Sequence, residues 1–490
     1  MTRLSTLEGL EPAKVTLPSY APQEHGIGIV HLGAGAFMRS HIGVYTDEAL
    51  AAGGGDWRIM GVSLRSRAVA EQLNPQNGLY TLVERAADAP KPRIVGSVAG
   101  VVFAPEQHEH LMTLLTAQST RIVSLTITEK GYGLDRKTGR LDLSDPAIAA
   151  DLNGTLARPA SAVGIITAAL QQRRDAGTGP FTVLSCDNLP HNGEVIRTLV
   201  LDMAERIDPD LAAWIAQTVT FPSTMVDRIT PVTREETFTD VARILGVEDR
   251  AATEAEPFVQ WVIEDAFCAG RPNWEAGGAL FVEDVAPFEL MKLRMLNGAH
   301  SLLAYTGFLL GHRYVRDVMD DPDLAALVRR HVHAAADTLP PVPGIDLALY
   351  ANDLFGRFSN RAMADETYRI AMDGTQKLPP RIFEAALTAR ERKQSLAPFA
   401  FATAAWMAYA RGVKPDGETY ALRDPREAEI AAALAGADGS AEGIAAALLG
   451  LPGLVPQELK SDSDWNDLVL LALGRFLEEG PRAAVKAELI

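Results

Sequence analysis

Three residues able to do acid–base and hydrogen-bond chemistry stand close together in an otherwise apolar stretch, ELMKLRMLNGAHSLLAY at positions 289–305: Lys292, Asn297 and His300. A lysine drawn out of water loses some of its preference for the charged form and becomes a usable base near neutrality. An Asn amide can polarise a carbonyl, and a His can hold a neighbouring hydroxyl. As a set they suit the oxidation of a secondary alcohol without zinc, a separate nicotinamide cofactor carrying the hydride. On an α-helix each residue advances about 100°, which puts Asn297 about 140° and His300 about 80° from Lys292. All three can then share one side while Leu293, Met295 and Leu303 fill much of the rest. The other reading is a helix with three satisfied polar groups and no chemistry, and residue types alone leave both open.

Such a set needs a scaffold, and the chain supplies two textures. Short runs rich in Val and Ile at 26–32, 58–64, 121–128 and 181–186 read as buried strands. Between them, SAVGIITAALQQRR at 161–174 has helical spacing and basic residues in its last turn, where they suit the dipole. Strands alternating with helices imply a largely parallel sheet covered on both faces. Beyond about residue 285 the runs are helical and strand-like segments almost vanish. The expected division is an α/β domain over 1–285 and an all-α domain over 286–490, with the Lys-Asn-His stretch on the first long helix of the second. AGADGSAEG at 435–443 reads as a loop.

In the first half, GIVHLGAGAFMRSH at 28–41 is a strand, then Gly33-x-Gly35, then a helix. Glycines there let the backbone turn tightly and approach a pyrophosphate at a helix N-terminus. The third glycine of G-x-G-x-x-G is replaced by Met38. After the second strand comes SLRSR at 63–67, where Arg65 and Arg67 can grip a ribose 2′-phosphate or stand as solvated charges. LSCDNLPHNGE at 184–194 puts Asn188 at a strand end, where open α/β sheets place ligands, although a turn-closing Asn is the plainer reading. TMVDRITP at 224–231 presents Asp227 beside Arg228, plainly read as a salt bridge. His108/His110 and His331/His333 are spaced i, i+2, which points the members apart on a helix, and no metal site is expected at either.

A formal net charge of −17 argues against a broad nucleic-acid footprint. Two cysteines, Cys186 and Cys268, make no disulfide framework and fit a reducing cytoplasm. No apolar run reaches the roughly 18 residues of a membrane span. A methyltransferase also places G-x-G after a first strand, but the Lys-Asn-His set has no task in methyl transfer.

Taken in order, IVHLGAGAF, SLTITEKGY, SCDNLPHNGE, FPSTMVDRITP, EPFVQWVIED and MKLRMLNGAHS, then RFSN and MDGTQKLP, resemble the mannitol dehydrogenase family over nearly the whole chain. These are long-chain, metal-independent polyol dehydrogenases. The resemblance implies a Rossmann-type N-terminal domain with a mainly parallel sheet, an all-α C-terminal domain, and an active site between them. It implies that Lys292, the lysine of K-x-x-x-x-N-x-x-H, is the catalytic base. Asn297 and Asn188 would form an oxyanion-type pair, and His300 would bind and orient substrate. Glu129 and Glu289 would flank a proton path, and Asp227, Arg369 and Lys377 would contact substrate hydroxyls. The implied cofactor is NAD(H) or NADP(H), with NAD favoured, held at Gly33, Gly35, Phe37, Arg65 and Ser66, and no metal. The implied partner is a sugar alcohol or sugar acid. MKLRMLNG, VIEDAFCAGRPNW and IAMDGTQKLPPR are more similar to the fructuronate reductase branch, which pairs D-mannonate with D-fructuronate. CDNLPHNG, PVPGIDL and Arg369 are more similar to the mannitol 2-dehydrogenase branch, with D-mannitol and D-fructose, or another polyol such as D-arabinitol or D-sorbitol. The uronate pair leads. Arg369 can serve either, by gripping a carboxylate or donating to hydroxyls. Without sustained heptads, a monomer or weak homo-oligomer is expected.

Overall fold

The run IGIVHL forms strand β1 (Ile27–Leu32), buried on both faces, which is why it reads as near-continuously apolar and not as an alternation. In this computed structural model, which describes residues 1–86 and 91–490, β1 is the middle of five strands. β2 (Arg58–Ser63) and β3 (Val98–Phe103) continue on one side, β4 (Ile122–Leu125) and β5 (Thr182–Ser185) on the other. The order is β3-β2-β1-β4-β5 and every neighbouring pair is parallel. Side-chain parity feeds two cores. Val30, Leu32, Val123, Leu125 and Val183 enter one cluster, while Ile29, Ile122 and Leu184 enter the other.

The expected strand at 121–128 stops at Leu125. The chain bends there because the amides of Ile127 and Thr128 turn to the Asp187 carboxylate, 2.9 and 2.8 Å away. β3 was not among the expected strands; its sequence, VAGVVF, is broken by Gly100. A short helix, α1 (Ala36–Ser40), follows the glycine turn after β1. The long helix α2 (Ala162–Ala176) starts where Ser161 Oγ accepts from Gly164 N–H and ends on the left-handed Gly177. A second sheet pairs β6 (Thr224–Asp227) antiparallel with Gln260–Glu264. These elements belong to the first of two compact units, Met1–Val285.

The second unit, Ala286–Ile490, is helical among the described residues. It begins with α3 (Ala286–Met291) and α4 (Gly298–Leu309), and continues with α5 (Pro322–Asp337), α6 (Gly374–Leu378) and α7 (Ala397–Ala410). Every residue of α7 from Pro398 to Ala410 is buried, as its apolar circumference requires. It packs on α8 (Ser463–Glu478), with the rings of Phe401 and Phe476 5.3 Å apart. The loop expected over 435–443 is shorter, because Ser440 Oγ accepts from Gly443 N–H and starts a helix at Ala441. Among the described residues, no helix is long and apolar enough to cross a membrane.

Each unit buries a histidine. His31 on β1 lies between Ser124 Oγ and Thr126 Oγ1 at 2.8 and 2.7 Å. His331 on α5 donates from Nδ1 to Pro398 O at 3.3 Å. Burial pushes their pKa values down, to about 3 for His31 and about 4 for His331. Between an unfolded value of about 6.5 and these folded values only the unfolded chain takes the proton, so stability present above about pH 6.5 is lost as pH falls. For His331 this amounts to about 3 kcal/mol by pH 4. Denaturant unfolding should therefore show His331→Asn losing less stability than the parent between about pH 7 and pH 5. Parallel profiles would contradict the assignment.

Candidate functional site

The first unit prepares a crevice where the strand order reverses. β1 and β4 are neighbours whose onward connections lead to opposite sides, and ligands bind outside the carboxyl ends of such strands. A cavity of about 430 Å³ opens there, lined in part by Gly33, Gly35, Ser63, Arg65, Ser66 and Thr126. Gly33 has φ 98°, and a Cβ on it would lie 2.1 Å from Thr126 O, so no other residue fits the turn. A Cβ on Gly35 would meet nothing nearer than Gly33 O at 3.7 Å, so that face of the turn is open to an approaching group. The first-turn N–H groups of α1, including that of Phe37, have no intrahelical acceptor. This open, glycine-lined turn with free amides fits a dinucleotide pyrophosphate. The Phe37 ring does not line the cavity; it stacks on His41 at 4.9 Å, which leaves the main chain as its contribution.

Arg65 and Arg67 part company. Arg67 pairs with Glu106 and lies over the Phe103 ring, 5.6 Å from its centroid. Arg65 lines the cavity with no carboxylate partner among the described residues, beside Ser66, whose carbonyl accepts from Ser63 Oγ at 2.5 Å.

Asn188 is exposed in the turn that follows β5. Its neighbour Asp187 fixes that turn: besides the two amides, its carboxylate accepts from Tyr132 Oη at 2.8 Å. Burial pushes the Asp187 carboxyl pKa up, against the pull of those three donors. Asn192 then staples β5 to β6. Its amide donates to Asp187 O (3.0 Å) and Thr224 O (2.9 Å) and accepts from Thr224 N–H (2.9 Å). Asp227 is the last residue of β6. Its neighbour Arg228 is spent elsewhere, on Glu84 (2.7 Å), Ser40 O (2.6 Å) and Glu256 O (3.0 Å). Glu129 follows Thr128, a non-glycine residue held at φ 63°, and pairs with Arg136. Asp187, Asn192 and Tyr132 were not singled out from the sequence, although all three sit inside the quoted motifs.

In the second unit, the segment carrying Lys292 and Asn297 is not α-helical. Lys292–Asn297 is a π turn between α3 and α4, in which Gly298 N–H reaches Leu293 O, five residues back. A π turn takes about 4.4 residues, so Lys292 and Asn297 are offset by about 50° around the axis and share one face, where an α-helix would set them about 140° apart. Lys292 is buried, at 8% exposure, and Asn297 and His300 are half-buried. The His300 ring lies 4.8 Å from that of Phe358. Glu289 sits on α3 three residues before Lys292. Arg294, inside the same turn, faces away and donates to Thr338 O (2.9 Å) and Oγ1 (3.0 Å).

Lys377 on α6 donates to Ile370 O at 3.1 Å and lies 3.8 Å from the Asp373 carboxylate. Burial, and then the nearby Arg381 guanidinium, push its pKa down to about 8. Arg369 is exposed and makes no ion pair among the described residues, although the charge of its guanidinium is felt by the Asp365 carboxyl.

Both parts of the chain match known families. Residues 27–276 match the mannitol dehydrogenase Rossmann domain, and residues 284–451 the mannitol dehydrogenase C-terminal domain. The D-mannonate oxidoreductase of Escherichia coli (strain K12) is 42% identical, over 96% of this chain and 98% of that protein. The Pseudomonas fluorescens mannitol 2-dehydrogenase, solved as a ternary complex with NAD and D-mannitol, is 37% identical with a TM-score of 0.85, over 100% of this chain and 99% of that one. A D-sorbitol dehydrogenase solved in substrate-free form is 37% identical with a TM-score of 0.91, over 99% and 100%. A Rossmann unit with a glycine-lined crevice, followed by a helical unit, thus matches along its full length a dehydrogenase solved with NAD bound. The chain belongs to the mannitol dehydrogenase family.

Proposed function

We propose that this protein interconverts D-mannonate and D-fructuronate, with Lys292 as the proton-transferring group. The observation that carries the sugar-acid reading is the pair of cations in the second unit. Lys377 is drawn out of water, and Arg369 is exposed and makes no ion pair among the described residues, although Asp373 and Asp365 carry charge nearby. A substrate carboxylate is attracted to such a pair of cations, and a guanidinium can take it bidentately. The 42% identity with a D-mannonate oxidoreductase supports the same choice.

In this reading, neutral Lys292 takes the proton of the carbinol hydroxyl, and its ammonium returns a proton when the keto acid is reduced. Asn297, on the same face of the π turn as Lys292, donates to the same oxygen as charge builds on it. Such a donor is worth a few kcal/mol in the transition state. Asn188 has the same part in the first unit, and Asp227 binds a substrate hydroxyl. His300, its ring against Phe358, orients the substrate, while Glu289 and Glu129 pass protons towards solvent. The turn at Gly33 and Gly35, the Phe37 N–H, Arg65 and Ser66 would hold the dinucleotide. When bound, a nicotinamide ring supplies the acceptor and donor for the carbinol hydride.

A reductase screen of D-fructuronate, D-tagaturonate and D-fructose, each with NADH and NADPH, should give the highest kcat/KM with D-fructuronate. Lys292→Ala should abolish that turnover with cofactor binding intact. Preference for D-fructose would move the protein to the mannitol branch, and an active Lys292→Ala would remove the base. Lys377 is charged below about pH 8 and loses its charge above it, so KM for D-fructuronate should rise above that pH while KM for D-fructose stays level. An equal rise for both sugars would separate Lys377 from the carboxylate. Arg65→Ala should weaken NADPH use more than NADH use, and equal losses would remove the 2′-phosphate role.

A further inference from the structure

A π turn lengthens a helix by one residue and replaces well-formed four-residue bonds with five-residue ones, so something outside the helix has to hold it. At Lys292–Asn297 that support comes from a second turn of the same kind. Pro379–Phe383 is also a π segment, with Glu384 N–H bonded to Pro379 O, five residues back. Its origin is visible in KLPPR. Pro379 and Pro380 have no N–H to give to the preceding turn, and their rings crowd it. The disturbance sets Arg381 against the first π turn. Arg381 Nη1 donates to the main-chain oxygen of Asn297 at 3.3 Å and to Ser301 Oγ at 3.4 Å. Ser301 Oγ in turn donates to the same Asn297 oxygen at 3.3 Å.

The approach is close because residue 298 is glycine. A Cβ there would lie 3.1 Å from Arg381 O and 3.2 Å from His331 Nε2, both tighter than ordinary contact. Among the described residues Arg381 makes no ion pair, and its hydrogen bonds go to a carbonyl of the π turn and a hydroxyl of α4, with the Asp373 carboxylate acting on it from further off. Burial draws its pKa down to about 10, still well above neutrality, so the guanidinium is charged as it donates.

We propose that Arg381 is a positioning residue, which clamps the Lys292–Asn297 π turn through the Asn297 carbonyl and so keeps Lys292 and Asn297 on one face. This rests on the reading of those two residues as base and oxyanion donor. Arg381 itself touches neither substrate nor cofactor in this scheme. Without the clamp the turn samples other bonding patterns, and the two side chains spread apart around the helix.

The test compares Arg381→Met, which keeps length and removes the donors, with Arg381→Lys, which restores one charged donor. Amide hydrogen exchange at 292–298 should quicken about tenfold in Arg381→Met while the rest of the unit keeps its protection. With whichever of D-fructuronate and D-fructose the parent reduces, kcat should fall about tenfold or more at unchanged cofactor affinity and stoichiometry, with KM little moved. The kinetic isotope effect with 4-deuterated nicotinamide should rise, which a smaller folded fraction alone does not cause. Arg381→Lys should recover several-fold of the kcat. Should Arg381→Met not fold, Gly298→Ala pushes the two turns apart without removing a donor, and the same changes are expected of it. A kcat within twofold of the parent, or unchanged exchange at 292–298, overturns the clamp. If Lys292→Ala is inactive in that same experiment, the clamp alone has failed. If Lys292→Ala is active, the reading of the base has failed with it.

Discussion

One backbone hydrogen bond, from Gly298 N–H to Leu293 O, decides how Lys292 and Asn297 stand relative to one another. Reaching back five rather than four brings the lysine and asparagine closer together around the helix axis, and the arrangement is supported from three directions. Arg294 ties the middle of the turn to Thr338, Arg381 takes its last carbonyl, and Gly298 lets a second irregular segment come close. Burial, charge and chain geometry thus converge on six residues. Neither the aliphatic core nor helix propensity explains them, since both would be served as well by a regular helix.

The first unit solves a similar problem with a carboxylate. Its sheet ends in loops that would otherwise be independent, and Asp187 gathers two of them by accepting from Ile127, Thr128 and Tyr132. Asn192 extends the tie to β6. The buried charge is expensive, as the upward push on its pKa shows, and three donors offset that expense. What results is a set of strand ends at fixed spacing, with Thr128 held in a conformation few non-glycine residues adopt.

Much of this is legible in the sequence itself. Buried parallel strands betray themselves as short Val- and Ile-rich runs, and four of the five in the main sheet were found that way. The fifth, β3, escaped because Gly100 interrupts a run already short. The change to an all-helical texture near residue 285 was equally plain. Harder to see was anything fixed by contacts remote in sequence. Arg67 looked as free as Arg65 until Glu106, distant in the chain, claimed it. The angle between Lys292 and Asn297 departs from the α-helical expectation because nothing local in KLRMLN announces a five-residue turn. The one local clue lay elsewhere, in the paired prolines of KLPPR.

The helix α7 has a consequence for how the chain is made. It has no polar face, and part of its cover is α8, which is synthesised more than fifty residues later. A ribosome therefore releases a fully greasy rod well before its lid exists. For that interval the nascent chain carries an adhesive surface that the finished enzyme never shows. The family C-terminal domain match ends at residue 451, yet the lid lies beyond it. The last helices are thus part of what keeps the unit from sticking to its neighbours, whatever their distance from the chemistry.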